Sequence, residues 1–327
     1  MMKRKFSFQD IVPFIAFFVI FVFFAITSYN GRTGTFRMLT LLNLSTMLDH
    51  TMLTIIVACG TLFVVAQGSI DMSVGVNLAL SGVIATWAAH ATGSPFLLIP
   101  VSLLVGLAIG FINGIIVSRF KVSSFMVTIA MLIGIRGLVN FIQTRIDAQR
   151  LPDALVFLNT PGVKVAVFLV IILIMAYIFE FTNAGKYSRA IGENETASKF
   201  IGIPVNRMKV IAFALSGLMA GMGAIFSLAT IGSTSQQMGV FLEMRVIMAI
   251  FLGGVLVTGG SSAKFYKILL GSFSIQIIIN GLALMNKSDS HISQSVQGVL
   301  LLLILLISIL AGNRSQHSKE KDPSDDV

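Results

Sequence analysis

Apolar runs of membrane-crossing length recur along nearly all of this 327-residue chain, and that feature leaves few folds open. A bilayer core ~30 Å thick takes about 20 apolar residues as a helix, since lipid offers the backbone no hydrogen-bond partner. Ten stretches read as spans: 11–29, 50–67, 73–92, 96–118, 123–142, 163–181, 210–230, 244–258, 266–285 and 297–312. The eighth is short and is expected to kink or to cross only part of the bilayer. Segment 36–48 reads as an interfacial helix leading into the second span. With 55% hydrophobic and only 11% charged residues, against about 25% charged in soluble domains, a water-soluble enzyme is excluded. The expected fold is an all-α membrane protein, one transmembrane domain over 1–312 with a polar tail at 313–327.

Charge orients the spans. Lys3, Arg4 and Lys5 precede the first run, but Ile11 to Tyr29 is too long for a signal-peptide core, and no small-residue cleavage site follows. Lysine and arginine total 23 against 14 acids, a net charge of +9. These bases sit in short loops without interleaved aromatics, so nucleic acid is not an expected partner. With ten spans, six of them (Arg32, Arg37, Arg145, Arg150, Lys164, Lys287) face one side. Arg136 and Arg245 lie within spans, and the remaining 15 face the other side. Positive charge accumulates on the cytoplasmic side, so both termini are expected there. The single cysteine, Cys59, excludes an internal disulfide framework.

Chemistry-bearing residues are sparse inside the spans. Glycines cluster as G-L-A-I-G at 106–110, G-L-M-A-G-M-G at 217–223 and Gly253-Gly254, a pattern that lets helices approach closely. Asp49, Asp71, Glu180 and Glu243 all fall near span ends, so no midplane carboxylate relay of an ion-coupled carrier is visible. Arg136 is the deepest charge, placed either along a polar pathway or on helix carbonyls. The four histidines, His50, His90, His291 and His317, lack metal-ligand spacing, and no G-x-x-x-x-G-K-[ST] loop exists. Any ATPase driving transport is therefore another polypeptide.

Two loops stand out. In 182–209, Asn194 is placed to cap a short helix from Glu195 to Phe200, with Glu193 and Glu195 at its positive end and Lys199 at its negative end. Gly202 and Pro204 end it. So short a helix needs a surface to pack on, and Ala197, Phe200 and Ile201 supply the apolar contact, toward this protein's own membrane face or toward a partner. In G-S-I-D-M-S at 68–73, Asp71 or Ser73 is expected to cap the third span, with a substrate or gating role as the alternative. An inverted repeat is weakly hinted at: I-N-G recurs at 112–114 and 279–281, but V-V-A-Q-G (64–68) and V-L-V-T-G (255–259) would share one face.

In order and spacing these segments, over roughly residues 45–312, resemble the membrane permease subunits of ribose/xylose/galactose-type ATP-binding-cassette importers. G-S-I-D-M-S-V-G is similar to that family's G-G-I-D-L-S-V-G. I-N-G-I-I-V, S-F-M-V-T and G-I-R-G-L follow its middle segments, and A-I-G-E-N-E-T-A-S-K-F-I-G-I-P-V its A-x-G-x-N motif. The resemblance implies a ten-span permease working as a pair in the bacterial cytoplasmic (inner) membrane. An extracytoplasmic solute-binding protein would dock outside and two ATPase subunits inside, with ATP and Mg held by the ATPase and no cofactor in this chain. It implies that loop 182–209 carries the coupling helix, with Gly192, Glu193, Asn194, Ala197, Phe200 and Gly202 in the coupling region. It further implies translocation or gating roles for Gly68, Asp71, Ser73, Gly75, Asn113, Gly114, Thr128, Arg136, Gly137, Glu243, Arg245, Gly259 and Gly260. Two departures stand out. Arg245 replaces an expected aspartate, and Gly259-Gly260-Ser261-Ser262-Ala263 lacks an expected arginine. Both suggest a non-identical second permease, hence a heterodimer.

The reading is a permease subunit for a sugar or sugar-like solute, not itself an enzyme. Binding-protein docking is expected on outer loops 36–49, 143–162, 231–243 and 286–296. An ion-gradient-driven carrier of a small polar solute is the rival, and an intramembrane enzyme lacks the necessary paired groups. Gln67, Asn77, Trp87, Gln143 and Gln276 are the polar or aromatic groups available to a pore.

Overall fold

In the computed structural model, residues 8–31 and 34–285 are described, with isolated positions between 295 and 306. The tenth span, the polar tail, outer loop 286–296 and the first basic residues lie outside these residues, apart from those isolated positions. Eleven helices are resolved among the described residues. They are α1 (Phe8–Thr27), α2 (Leu41–Ala66), α3 (Val74–Thr92), α4 (Leu98–Phe120), α5 (Ser124–Arg145), α6 (Pro161–Phe181), α7 (Asn183–Glu193), α8 (Glu195–Phe200), α9 (Val205–Ile231), α10 (Leu242–Leu252) and α11 (Phe265–Leu284). Seven of them, α2 to α6, α9 and α11, are long and apolar enough to cross a membrane, α4 doing so together with the preceding turn from Pro95. In α1, Pro13–Thr27 is a shorter apolar stretch. A two-residue hairpin pairs Tyr29 with Phe36 and Asn30 with Thr35.

Helix α9 is the axis of the bundle, with α4, α2 and α3 packed on it. The α4–α9 contact is made by glycine. A Cβ on Gly106 or Gly110 would collide with the carbonyl of Gly217 or Phe213, and a Cβ on Gly217 or Gly221 with that of Gly106 or Ser102. Backbones this close gain dispersion contacts that branched side chains would prevent. The seam continues to Gly114, where a Cβ would lie 2.7 Å from Val210 Cα. Ser102 Oγ adds a 2.7 Å hydrogen bond to Gly221 O.

One expectation is corrected, one is met, and one element is added. Segment 36–48 forms no separate interfacial helix. Arg37–Leu39 is a single 3-10 turn, and α2 then runs unbroken through the segment's remainder. The eighth span, expected to kink or to cross only in part, is interrupted. α10 has 11 residues and ends at Gly253-Gly254, leaving 255–258 non-helical. Gly254 adopts φ +86°, a conformation costly for residues with a Cβ. The buried Lys267 then donates to Gly254 O at 2.8 Å, placing a cation at the negative end of this half-helix. Finally, loop 182–209 holds a second helix, α7, started by Thr182, whose hydroxyl accepts from Ala184 N.

Candidate coupling surface and translocation core

The short helix α8 forms where expected, because its cap is local. Asn194 Oδ1 accepts from Ala197 N at 2.9 Å, satisfying one of the helix's free donors. Gly202, at φ +85°, turns the chain out of it. Glu195 links to Lys199 at 2.6 Å and to Lys209 of α9 at 2.7 Å. Burial works to raise the Glu195 pKa, but the hydrogen bonds from the two lysines outweigh it and hold the carboxyl below its ordinary range. Between α7 and the start of α9, Ile191, Val205 and Met208 form a small apolar cluster with Tyr187 and Ile203. Packing on this protein's own membrane face is not the role of the other side. Phe200 is 87% exposed and Ile201 76% exposed, with Ala197 bare beside them. Asn194→Ala is expected to cost about 1 kcal/mol of local stability, read as faster amide hydrogen exchange across 195–200 with the span helices unaffected.

Behind α8, segments distant in sequence meet backbone to backbone. A Cβ on Gly192 would collide with the Ala66 carbonyl and come within 2.4 Å of Gly260 N. A Cβ on Gly259 would collide with Val65 O, and one on Gly68 would lie 3.0 Å from Thr258 O. Glu193 Oε1 accepts from Ser261 N at 2.7 Å. Gly192, Glu193, Gly68, Gly259 and Gly260, read as parts of separate motifs, therefore form one junction at the ends of α2 and α7. The two glycine turns 64–68 and 255–259 share a face, as expected. Beside it, Glu180 accepts from Arg189 Nη1 and Phe265 N, each at 2.9 Å, while Arg189 lies over the Phe179 ring. Neither Glu180 nor Arg189 was singled out as a site residue, because nothing local marks their pairing.

Above this junction lies a buried polar knot. Asp71 is 1% exposed, and its Oδ1 accepts from Ser73 N at 3.0 Å and Ser73 Oγ at 2.6 Å. Its Oδ2 accepts from Ser216 Oγ at 2.8 Å. Asn113 Nδ2 donates to Ser73 Oγ at 2.9 Å. Ser124 Oγ takes Ile70 N, and Thr128 Oγ1 reaches Ile70 O. The capping expectation is corrected here: neither Asp71 nor Ser73 caps α3 through its side chain. Asp71 instead braces the extended segment before α3 against α9. Ser216 carried no signal in the sequence, since its partner is 145 residues away.

The remaining candidates gather where α10 begins. A Cβ on Gly75 would overlap the Glu243 carboxylate and the Gly239 carbonyl, so these backbones touch. Arg136 Nη1 donates to Met238 O at 3.0 Å and Gln236 O at 3.4 Å, carbonyls of the turn before α10 rather than of a helix. Gly137 has no atom within 4 Å of a Cβ position and joins none of these groups. Arg245 lies within electrostatic reach of Glu243 and His50 of its own chain. Among the polar residues offered for a pore, Gln67 instead ties Ser188 to Met208 O, and Asn77 donates to Gly106 O. Trp87 is half exposed and Gln276 is buried. Loops 143–162 and 231–243, both expected on the outer side, are joined by the Arg150–Ser233 bridge and by Thr234 N donating to Gln149 O at 2.9 Å.

Residues 43–308 match the family described as "Branched-chain amino acid transport system / permease component". The chain belongs to this permease family. The ribose import permease protein of Escherichia coli K12 is 30% identical to it over 287 residues, 85% of this chain and 87% of that protein. The L-arabinose ABC transporter permease of Azospirillum brasilense is 31% identical over 76% of this chain and 75% of its own. The autoinducer 2 import system permease of Photorhabdus luminescens is 31% identical over 77% of each. No solved structure matches the chain.

Proposed function

We propose that the chain is the membrane-spanning subunit of an ATP-driven importer for a sugar or sugar-like solute. It would work with a second permease subunit, an ATPase that holds ATP and Mg, and an extracytoplasmic solute-binding protein. The observation that carries this reading is α8. It is capped and clamped to α9 through Glu195 and Lys209, yet it presents Ala197, Phe200 and Ile201 uncovered. A membrane protein keeps such a face bare for a partner. A helix docked in an ATPase groove would pass motion through Gly192 and Gly260 into α2 and α10.

On this reading the chain has ten spans, both termini in the cytoplasm, and a place in the bacterial inner membrane. The solute class is proposed from relatives named for ribose, arabinose, fructose and autoinducer 2 import. The departures at Arg245 and Ser261 both have neighbours within this chain. Whether the second permease is identical is tested by co-expressing two differently tagged copies: joint capture of both tags indicates a homodimer.

The test of the reading is purification of the tagged protein in mild detergent, with and without Ala197→Glu. The wild type is expected to bring down an ATPase carrying a phosphate-binding loop, and the variant to lose it while remaining monodisperse. Recovery of no ATPase with wild type, under conditions that preserve a known importer, would sink the proposal. Uptake that persists with an uncoupler while ATP is maintained would in turn exclude the ion-driven carrier.

A further inference from the structure

A buried carboxylate oxygen without a hydrogen bond needs an explanation, and Glu243 Oε2 is one. The residue is 6% exposed, on the first turn of α10, and Oε2 has no partner. It rests instead against the Cα of Gly75 on α3, where any side chain would collide with it. Two cations act on it electrostatically, Arg136 and Arg245. Arg245 is two positions along the same helix, and residues so spaced point away from one another. It is also within reach of His50 on α2. Arg136, on α5, is the cation supplied by another helix, and its Nη1 donates to the carbonyls of Gln236 and Met238, just before α10.

An arginine bonded to loop carbonyls, within electrostatic reach of a buried carboxyl whose Oε2 has no hydrogen bond, is an ion pair left open. We infer that Arg136 and Glu243 form a latch between α5 and α10, open in this conformation and closed in the opposite half of the transport cycle. In the open state the tight Gly75–Gly239 contact joins the start of α10 to α3 and presses the carboxylate onto Gly75. If α10 withdraws from α3, that contact opens, Oε2 is freed from Gly75, and the guanidinium can leave the 236–238 carbonyls for it. α10 suits such a motion, because it is a half-helix with glycines at its lower end and Lys267 steadying Gly254. The pair then acts as a positioning device, not a solute ligand. The open state satisfies the 236–238 carbonyls and leaves Glu243 Oε2 wanting, and the closed state does the reverse, which makes the element bistable.

The inference rests on the importer reading, and the experiment separates the two. The permease–ATPase complex is purified as wild type, Arg136→Gln, Glu243→Gln, the double variant, and the swap Arg136→Glu with Glu243→Arg. Uptake in proteoliposomes and ATP hydrolysis without solute are both measured. Losing the latch is expected to raise idle hydrolysis and lower uptake, each about fivefold or more, the lower end of typical coupling between sites. The double variant should be no worse than either single, and the swap should recover part of the coupling. Additive effects in the double variant, or singles whose idle hydrolysis stays at the wild-type level, overturn the latch while leaving the importer intact. Assembly of every variant is verified by its elution with the ATPase. A wild-type chain that recruits no ATPase removes the cycle the latch needs and overturns both.

Discussion

Gly217→Val is expected to leave little folded protein in the membrane. At this position α9 lies against α4 so closely that a Cβ would collide with Gly106 O and come within 2.9 Å of Gly110 Cα and N. Backbone cannot rotate aside as a side chain can, so the helices themselves would have to part. They would then lose the packed contact that neighbouring Gly106, Gly110, Gly114 and Gly221 sustain along the whole seam. Overpacking costs about 1–3 kcal/mol in ordinary cores, and a rigid backbone contact puts this site at or above the upper end. The measurement is thermal stability of detergent-extracted protein, followed by size-exclusion chromatography. Gly134→Val is the control: no atom lies within 4 Å of its Cβ position, so its profile should match wild type. Equal stability of the two variants would mean that the α4–α9 seam is not a load-carrying contact.

Gly192→Val is expected to separate assembly from transport. Its Cβ would strike the Ala66 carbonyl and crowd Gly260, pushing the end of α7 away from α2 and from the turn before α11. Neither the α8 face nor the membrane seam is touched, so the ATPase should still be captured. What is lost is the stiff path between them, including the Glu193 hydrogen bond to Ser261 N. Uptake should fall roughly tenfold or more, the scale of a lost coupling of about 1–3 kcal/mol, with ATP hydrolysis no longer answering to solute. A Gly192→Val complex that transports normally would show that the junction does not carry the coupling.

Most of the membrane helices were legible from the chain alone because lipid imposes a local rule: a run of about 20 apolar residues must satisfy its own backbone. The short helix α8 was legible for a similar reason. Asn194, three residues before the amide it caps, acts within one turn, and Gly202 ends the helix where its positive φ is needed. The half-helix α10 was only half legible. Apolar composition over 244–258 is the same whether the chain crosses or breaks, and the break is decided by Gly253-Gly254 with Lys267 from another helix. Helix α7 was missed because its buried side, Ser188 and Ile191, is defined by what α2 and α9 place against it.

The sequence by itself determined a polytopic all-α membrane protein, most of its long apolar helices and the capped short helix α8, since each follows from forces acting within a few residues. Only the tertiary structure decided which groups share a site. It brought Asp71 to Ser216, Gly192 to Gly260 and Gly75 to Glu243, across separations of 145, 68 and 168 residues. Hydrogen bonds and close contacts reach only a few ångströms, so such pairings exist once helices have packed and leave no periodic trace along the chain.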